Sequence, residues 1–97
     1  MKKIEKIKAE IRKYMLFLEE TYQIKTLEIF GSYIRGAQTK KSDLDILVEL
    51  YGTIDLFTFI ELELFLTEMI GIQVDLVMKE TLKPRIKDRI LREAVLV

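Results

Sequence analysis

Three aspartates, a Gly-Ser pair and one arginine are the side chains of this sequence best suited to chemistry. Asp43 and Asp45 stand two residues apart at the head of an apolar run, and Asp75 lies between Val74 and Leu76 in another. In a strand, residues at i and i+2 share a face, so both carboxylates of the D-x-D pair point the same way. Aspartate is disfavoured in strands, and a like-charge pair is worse unless something compensates. A divalent cation compensates directly. If the two strands are neighbours, the three carboxylates converge, and such a set can hold two metal ions about 3.5–4 Å apart. One ion would lower the pKa of an attacking hydroxyl. The other would neutralise a triphosphate and its leaving group.

Gly31-Ser32 supplies the complementary half. Glycine at a strand end lets backbone approach a phosphate, and the N–H groups of the following turn can cradle it. The Ser32 hydroxyl adds a donor. Arg35, three residues on, can present a planar fork to a phosphate. Ser42, just before Asp43, could orient a carboxylate or cap its loop. Each piece alone is weak: a Gly-Ser pair is usually a turn, and D-x-D is usually surface charge. Their combination and spacing are specific.

The elements that must position these residues can be read from the pattern. Apolar residues recur at spacings of three and four from Ile4 to Tyr22, which predicts one amphipathic helix over residues 2–22. Lys25 to Phe30 alternates as a strand, and Tyr33 to Gly36 suits a short helical turn. Ala37 to Ser42 is a polar loop. Leu44 to Leu50 reads as a central strand, because Ile46, Leu47 and Val48 form a continuous apolar run. Asp55 is placed to cap a helix over residues 56–70, with Gly71 just past its end. That helix carries two apolar stripes. Phe59, Leu62, Leu66, Met69 and Ile70 form the first. Phe57, Ile60 and Leu64 form the second, which either a partner chain or a neighbouring element could cover. Ile72 to Met78 reads as a third strand, Pro84 opens a last helix, and Val95 to Val97 could add a terminal strand. The alternation implies a single α/β domain over residues 1–97, with helices packed on a small sheet.

Composition narrows the chemistry. The 97 residues contain no cysteine and no histidine, which removes thiolate sites and the commonest zinc ligand and general base. A metal must be held by oxygen, which points to magnesium, manganese or calcium. Net charge is zero, yet residues 43–75 carry eight acidic and no basic side chains. An overall basic field for nucleic acid is absent. No stretch has membrane-spanning length or the form of a signal peptide, so a cytoplasmic location is expected.

The stretch GSYIRGAQTKKSDLDILVEL resembles the signature of the nucleotidyltransferase superfamily related to DNA polymerase beta. More narrowly, it is similar to the minimal nucleotidyltransferases, the MNT proteins, which read GSxARGxxxxxSDxDxxV. Gly31, Ser32, Arg35, Gly36, Ser42, Asp43, Asp45 and Val48 match, and Ile34 departs where alanine is usual. The later VDLVMKETLKPRIKDRILREAV resembles the family's third strand and final helix. The resemblance implies a mixed-sheet nucleotidyltransferase fold and transfer of a nucleoside monophosphate from ATP or another NTP. It implies that Asp43 and Asp45 bind two Mg2+ ions (or Mn2+), and that Asp75 completes the catalytic and metal site near the acceptor hydroxyl. Gly31 and Ser32, with Arg35 and Ser42, would hold the nucleotide. It further implies a HEPN-domain toxin as partner and acceptor, silenced by adenylylation of a tyrosine, with this chain as the antitoxin. Two other readings stand beside this one: a binding module that neutralises its partner by occlusion, and a small α/β domain whose aspartates are merely solvated.

Overall fold

The structure, a computed structural model, describes residues 4–97. Helices α1 (Ile4–Lys13) and α2 (Met15–Tyr22) lead into strand β1 (Ile24–Phe30). A one-turn helix α3 (Ser32–Arg35) and a loop follow, then β2 (Leu44–Leu50), the long helix α4 (Leu56–Ile70) and β3 (Val74–Met78). A 3-10 turn (Lys79–Thr81), α5 (Pro84–Glu93) and a two-residue strand β4 (Val95–Leu96) complete the chain.

The expected helix over residues 2–22 is two helices, with residues 2 and 3 outside the described part. The break falls at Tyr14, whose φ of −107° and ψ of 7° leave the helical range. Periodicity could not reveal it. Ile7 and Ile11 on one side and Leu18 and Tyr22 on the other are all buried, and the seven residues from Ile11 to Leu18 make nearly two whole turns, so the apolar phase continues across the break. Tyr14 itself is 44% exposed, resting edge-on against Phe65 of α4. It is not the core residue its spacing implied. The third strand starts at Val74 rather than Ile72, because Gly71 takes a left-handed conformation (φ 80°) to end α4 and the chain needs two residues to turn. The caps of α4 are as expected, with Asp55 accepting a hydrogen bond from the Thr58 N–H at 2.8 Å.

The four strands form one mixed sheet in the order β3-β2-β1-β4. β2 is antiparallel to β1 and parallel to β3, and β4 is antiparallel to β1. The parallel pair requires a crossover, which α4 provides. Leu44, Ile46 and Val48 of β2 enter a core with Leu27, Ile29, Val74 and Leu76 and with buried residues of α1, α2 and α4. Leu47 faces the other way, into a smaller cluster with Phe30 and Ile90 under α5. The continuous apolar run of β2 is thus the mark of a strand covered on both faces. Truncating a fully buried residue such as Ile46 to alanine should cost about 2–5 kcal/mol.

β3 is an edge strand whose outward N–H groups are not left open. The Val74 N–H donates to Thr67 Oγ1 at 3.0 Å and the Leu76 N–H to Glu63 Oε2 at 2.8 Å. Both acceptors come from α4, so the crossover helix also seals the edge. The two stripes of α4 part company. Leu62, Leu66 and Ile70 are buried, whereas Phe57, Ile60 and Leu64 are 84%, 43% and 56% exposed. No neighbouring element among the described residues covers the second stripe.

Candidate active site

The α5 face of the sheet carries Asp45, and hydrogen-bond register explains how the site assembles there. Phe30 pairs with Asp45 across β1 and β2, so Gly31, the next residue, lies against the Asp45 side chain. Gly31 has φ 81° and ψ −153°, a conformation that only glycine adopts readily. It also has no room for a side chain, because a Cβ at that position would overlap Asp45 Oδ2. Its carbonyl accepts hydrogen bonds from the Ile34 and Arg35 N–H groups at 3.0 and 3.1 Å, closing α3. Buried Tyr33 anchors that turn in the core, and Gly36 ends it with φ 70°. Ser32 is half-buried at the start of the turn.

Register also joins the carboxylates. Asp45 of β2 is the direct partner of Asp75 of β3. Burial first, then the charge of Asp75 and a hydrogen bond shared with it, then the charge of Asp43, push the Asp45 carboxyl up to about 6 from an ordinary 3.8. The Arg35 guanidinium pulls the other way. Asp43 precedes β2 and is exposed, as is Asp75. Among the described residues no three acidic side chains form a ready-made metal cage. The arrangement is two plus one: Asp45 and Asp75 meet, and Asp43 acts on Asp45 through its charge. This donor set suits a hard cation. All three groups offer oxygen, and the charges of Asp75 and Asp43 act on a half-buried Asp45 carboxyl that Arg35 offsets only in part.

The remaining expected residues fare differently. Arg35 stands at the end of α3, its guanidinium 2.8 Å from Glu93 Oε1. Ser42 is engaged in its own loop. Its hydroxyl accepts the Thr39 N–H at 2.8 Å, and its N–H donates to the Thr39 carbonyl at 3.1 Å. Of the roles expected of it, loop capping is the one these contacts serve. Lys40, Lys41, Ser42, Asp43 and Tyr33 border a groove of about 400 Å³ that neither Asp45 nor Asp75 lines.

Glu93 was not among the sequence candidates. Its carboxylate accepts the Gly31 N–H at 2.7 Å through Oε2 and Arg35 through Oε1. The Arg35 hydrogen bond foremost, then the Gly31 N–H and the charges of Arg35 and Arg89, hold it below the usual carboxylate value against its desolvation. A faint signal existed. Glu93 is the last residue of α5, and a carboxylate at a helix C-terminus is disfavoured by the helix dipole unless something nearby repays it.

Residues 8–97 match the family model described as a nucleotidyltransferase domain. A Methanocaldococcus jannaschii protein provisionally named a protein adenylyltransferase is 49% identical over 98 residues, spanning 100% of both chains. A solved structure provisionally named a minimal nucleotidyltransferase superposes with a TM-score of 0.81 at 32% identity, covering 99% of this chain and 97% of that one. A chain from the toxin–antitoxin complex MntA-HpeT matches with a TM-score of 0.72 at 25% identity, covering 89% of this chain and 69% of that one. Sheet order, the Gly31 turn over Asp45 and these likenesses agree, and the chain belongs to the nucleotidyltransferase domain family, alongside its minimal nucleotidyltransferases.

Proposed function

We propose that the protein transfers AMP from ATP to a tyrosine hydroxyl of a partner HEPN toxin in the cytoplasm and so acts as its antitoxin. The observation that carries this reading is the pairing of Asp45 with Asp75 directly under the Gly31 turn. A carboxylate pair and a backbone turn suited to facing a phosphate share one site, as phosphoryl transfer requires. The 49% identity to a relative named for protein adenylylation supports the reaction class. The likeness to a toxin–antitoxin complex supports the partner.

In this mechanism the Ser32 hydroxyl and the N–H groups at the start of α3 bind the triphosphate, with the Arg35 guanidinium beside them. Asp43, Asp45 and Asp75 would hold divalent ions, magnesium or manganese by their oxygen-only donors. When bound, those ions supply charge neutralisation at the phosphates and a more acidic acceptor hydroxyl. Asp75, exposed on the edge strand, would face the acceptor hydroxyl and take its proton. The tyrosine oxygen forms a bond to the α-phosphorus, the bond to the bridging oxygen breaks, and pyrophosphate leaves. The acceptor comes from another molecule, and the uncovered stripe of Phe57, Ile60 and Leu64 on α4 is consistent with a protein partner. No helix among the described residues is long and apolar enough to cross a membrane.

The test is incubation with labelled ATP, Mg2+ and the partner toxin. Label should appear on the toxin and vanish with the double change Asp43→Asn and Asp45→Asn. The exposed α4 stripe also favours a second reading, neutralisation by occlusion alone. If the double variant still neutralises the toxin, occlusion is the essential activity and transfer is not.

A further inference from the structure

Glu93 joins the last helix to the head of the site. One oxygen accepts the N–H of Gly31, the residue that caps α3, and the other accepts the guanidinium of Arg35, the residue that ends it. A single carboxylate therefore bridges both ends of the one-turn helix. The partners are 62 and 58 residues away in sequence, so nothing local provides this bridge. Each end of the turn leads on to the carboxylates. Gly31 lies against Asp45 Oδ2, and the Arg35 charge acts on Asp45. The hydrogen bonds of Glu93 go to Gly31 and Arg35. Its influence passes through Gly31 and Arg35.

We propose that Glu93 is a positioning residue for the nucleotide triphosphate, fixing the Gly31-Ser32 turn and the Arg35 fork in one geometry before ATP arrives. This rests on the adenylyltransferase reading of the site. The physical argument is preorganisation. Arg35 has a long side chain, 58% exposed, and an unrestrained guanidinium must give up rotamer freedom when phosphate binds. Glu93 imposes that loss during folding. The charge-assisted contacts at 2.7 and 2.8 Å are of the strong kind. The residue could instead occupy the place of a phosphate oxygen, to be expelled by ATP. The two ideas predict opposite signs, so experiment separates them.

The assay uses the full chain with ATP, Mg2+ and the partner toxin, following both AMP transfer and ATP binding by calorimetry. Glu93→Ala should raise the KM and the Kd for ATP about tenfold, the worth of one charge-assisted hydrogen bond, while kcat changes less than about twofold. Glu93→Gln keeps the shape but loses the charge, and should fall between. It serves also if Glu93→Ala folds poorly. In an Arg35→Ala background, Glu93→Gln should add less than about twofold, because the two residues act as one unit. Unchanged ATP affinity in both Glu93 variants, tighter ATP binding, or full additivity with Arg35→Ala each overturns the proposal. A wild-type protein that binds ATP but labels no toxin refutes the acceptor reading alone, and the affinity comparison still decides the role of Glu93. A wild-type protein that binds no ATP overturns both.

Discussion

Replacing Gly31 with alanine should damage the protein in a way that Gly36→Ala does not. Both glycines have positive φ, 81° and 70°. Gly36 lies in the ordinary left-handed region with nothing within 4 Å of a would-be Cβ. Alanine there should cost only the left-handed penalty, about 1–2 kcal/mol. Gly31 has ψ −153°, a region that non-glycine residues enter at roughly 1–3 kcal/mol. To this is added the overlap with Asp45 Oδ2, which as an overpacking term is worth about 1–3 kcal/mol. The sum is about 2–6 kcal/mol, enough to lower Tm by roughly 10 °C or more in a domain of this size. Part of the clash can be relieved by swinging the Asp45 carboxylate away. That would spare stability and displace the proposed metal ligand, so AMP transfer should be lost either way. Thermal melts and the transfer assay on both variants check this. Equal melting temperatures for the two variants, with transfer intact in Gly31→Ala, would refute the argument that Gly31 is required by its contact with Asp45.

Other outcomes follow from the same geometry. In metal-free protein the Asp45 carboxyl, raised to about 6, binds its proton more tightly folded than unfolded. Its contribution to stability is full below about pH 4 and lost as pH rises through 6. A rise from 3.8 to about 6 would be worth about 3 kcal/mol, and partial solvent exposure reduces this to about 1–2 kcal/mol. Urea unfolding of wild type and Asp45→Asn at pH 4.5 and 7.5 isolates this contribution, and a pH-independent difference between them would contradict it. ATP with Mg2+ at about a hundredfold over Kd should stabilise the wild type by roughly 2.7 kcal/mol and leave the Asp43→Asn, Asp45→Asn double variant unmoved. An unmoved wild type would favour aspartates that are merely solvated. Glu63→Ala should cost about 1–3 kcal/mol by stripping the acceptor from the Leu76 N–H, measurable by denaturant melts and by faster exchange of that amide.

The parts of the site that were legible in sequence are those that break a local rule. Asp43, Asp45 and Asp75 are charges beside or within apolar strands, and Gly31-Ser32 interrupts one. The bounds of β2 and α4 were legible for a similar reason, since a continuous apolar run and a matched Asp55 and Gly71 mark their ends chemically. What escaped was decided by contacts distant in sequence or by local geometry without a compositional mark. Glu93 takes its meaning from partners 58 and 62 residues away. The break at Tyr14 leaves the apolar phase intact. Loop capping by Ser42 was one of the roles legible in sequence, and its hydroxyl does accept the Thr39 N–H. The Asp45–Asp75 pairing lay between these cases, because it depended on β2 and β3 being neighbours.

That pairing has a kinetic consequence. Strands β1 and β2 form a hairpin from residues 24–50 and can meet early, since their contacts are close in sequence. Asp75 joins Asp45 only after the fifteen-residue helix α4 has crossed over and docked. Glu93 reaches Gly31 only when α5 has closed over the other face. Contacts of long separation carry the larger loop-closure cost and tend to form late. The site should therefore be among the last regions to mature on the ribosome or after denaturation, and among the first to dissolve when α5 frays. A partly folded chain would hold the Gly-Ser turn and the D-x-D pair and still be inert, so recovered activity during refolding should lag the recovery of helical signal.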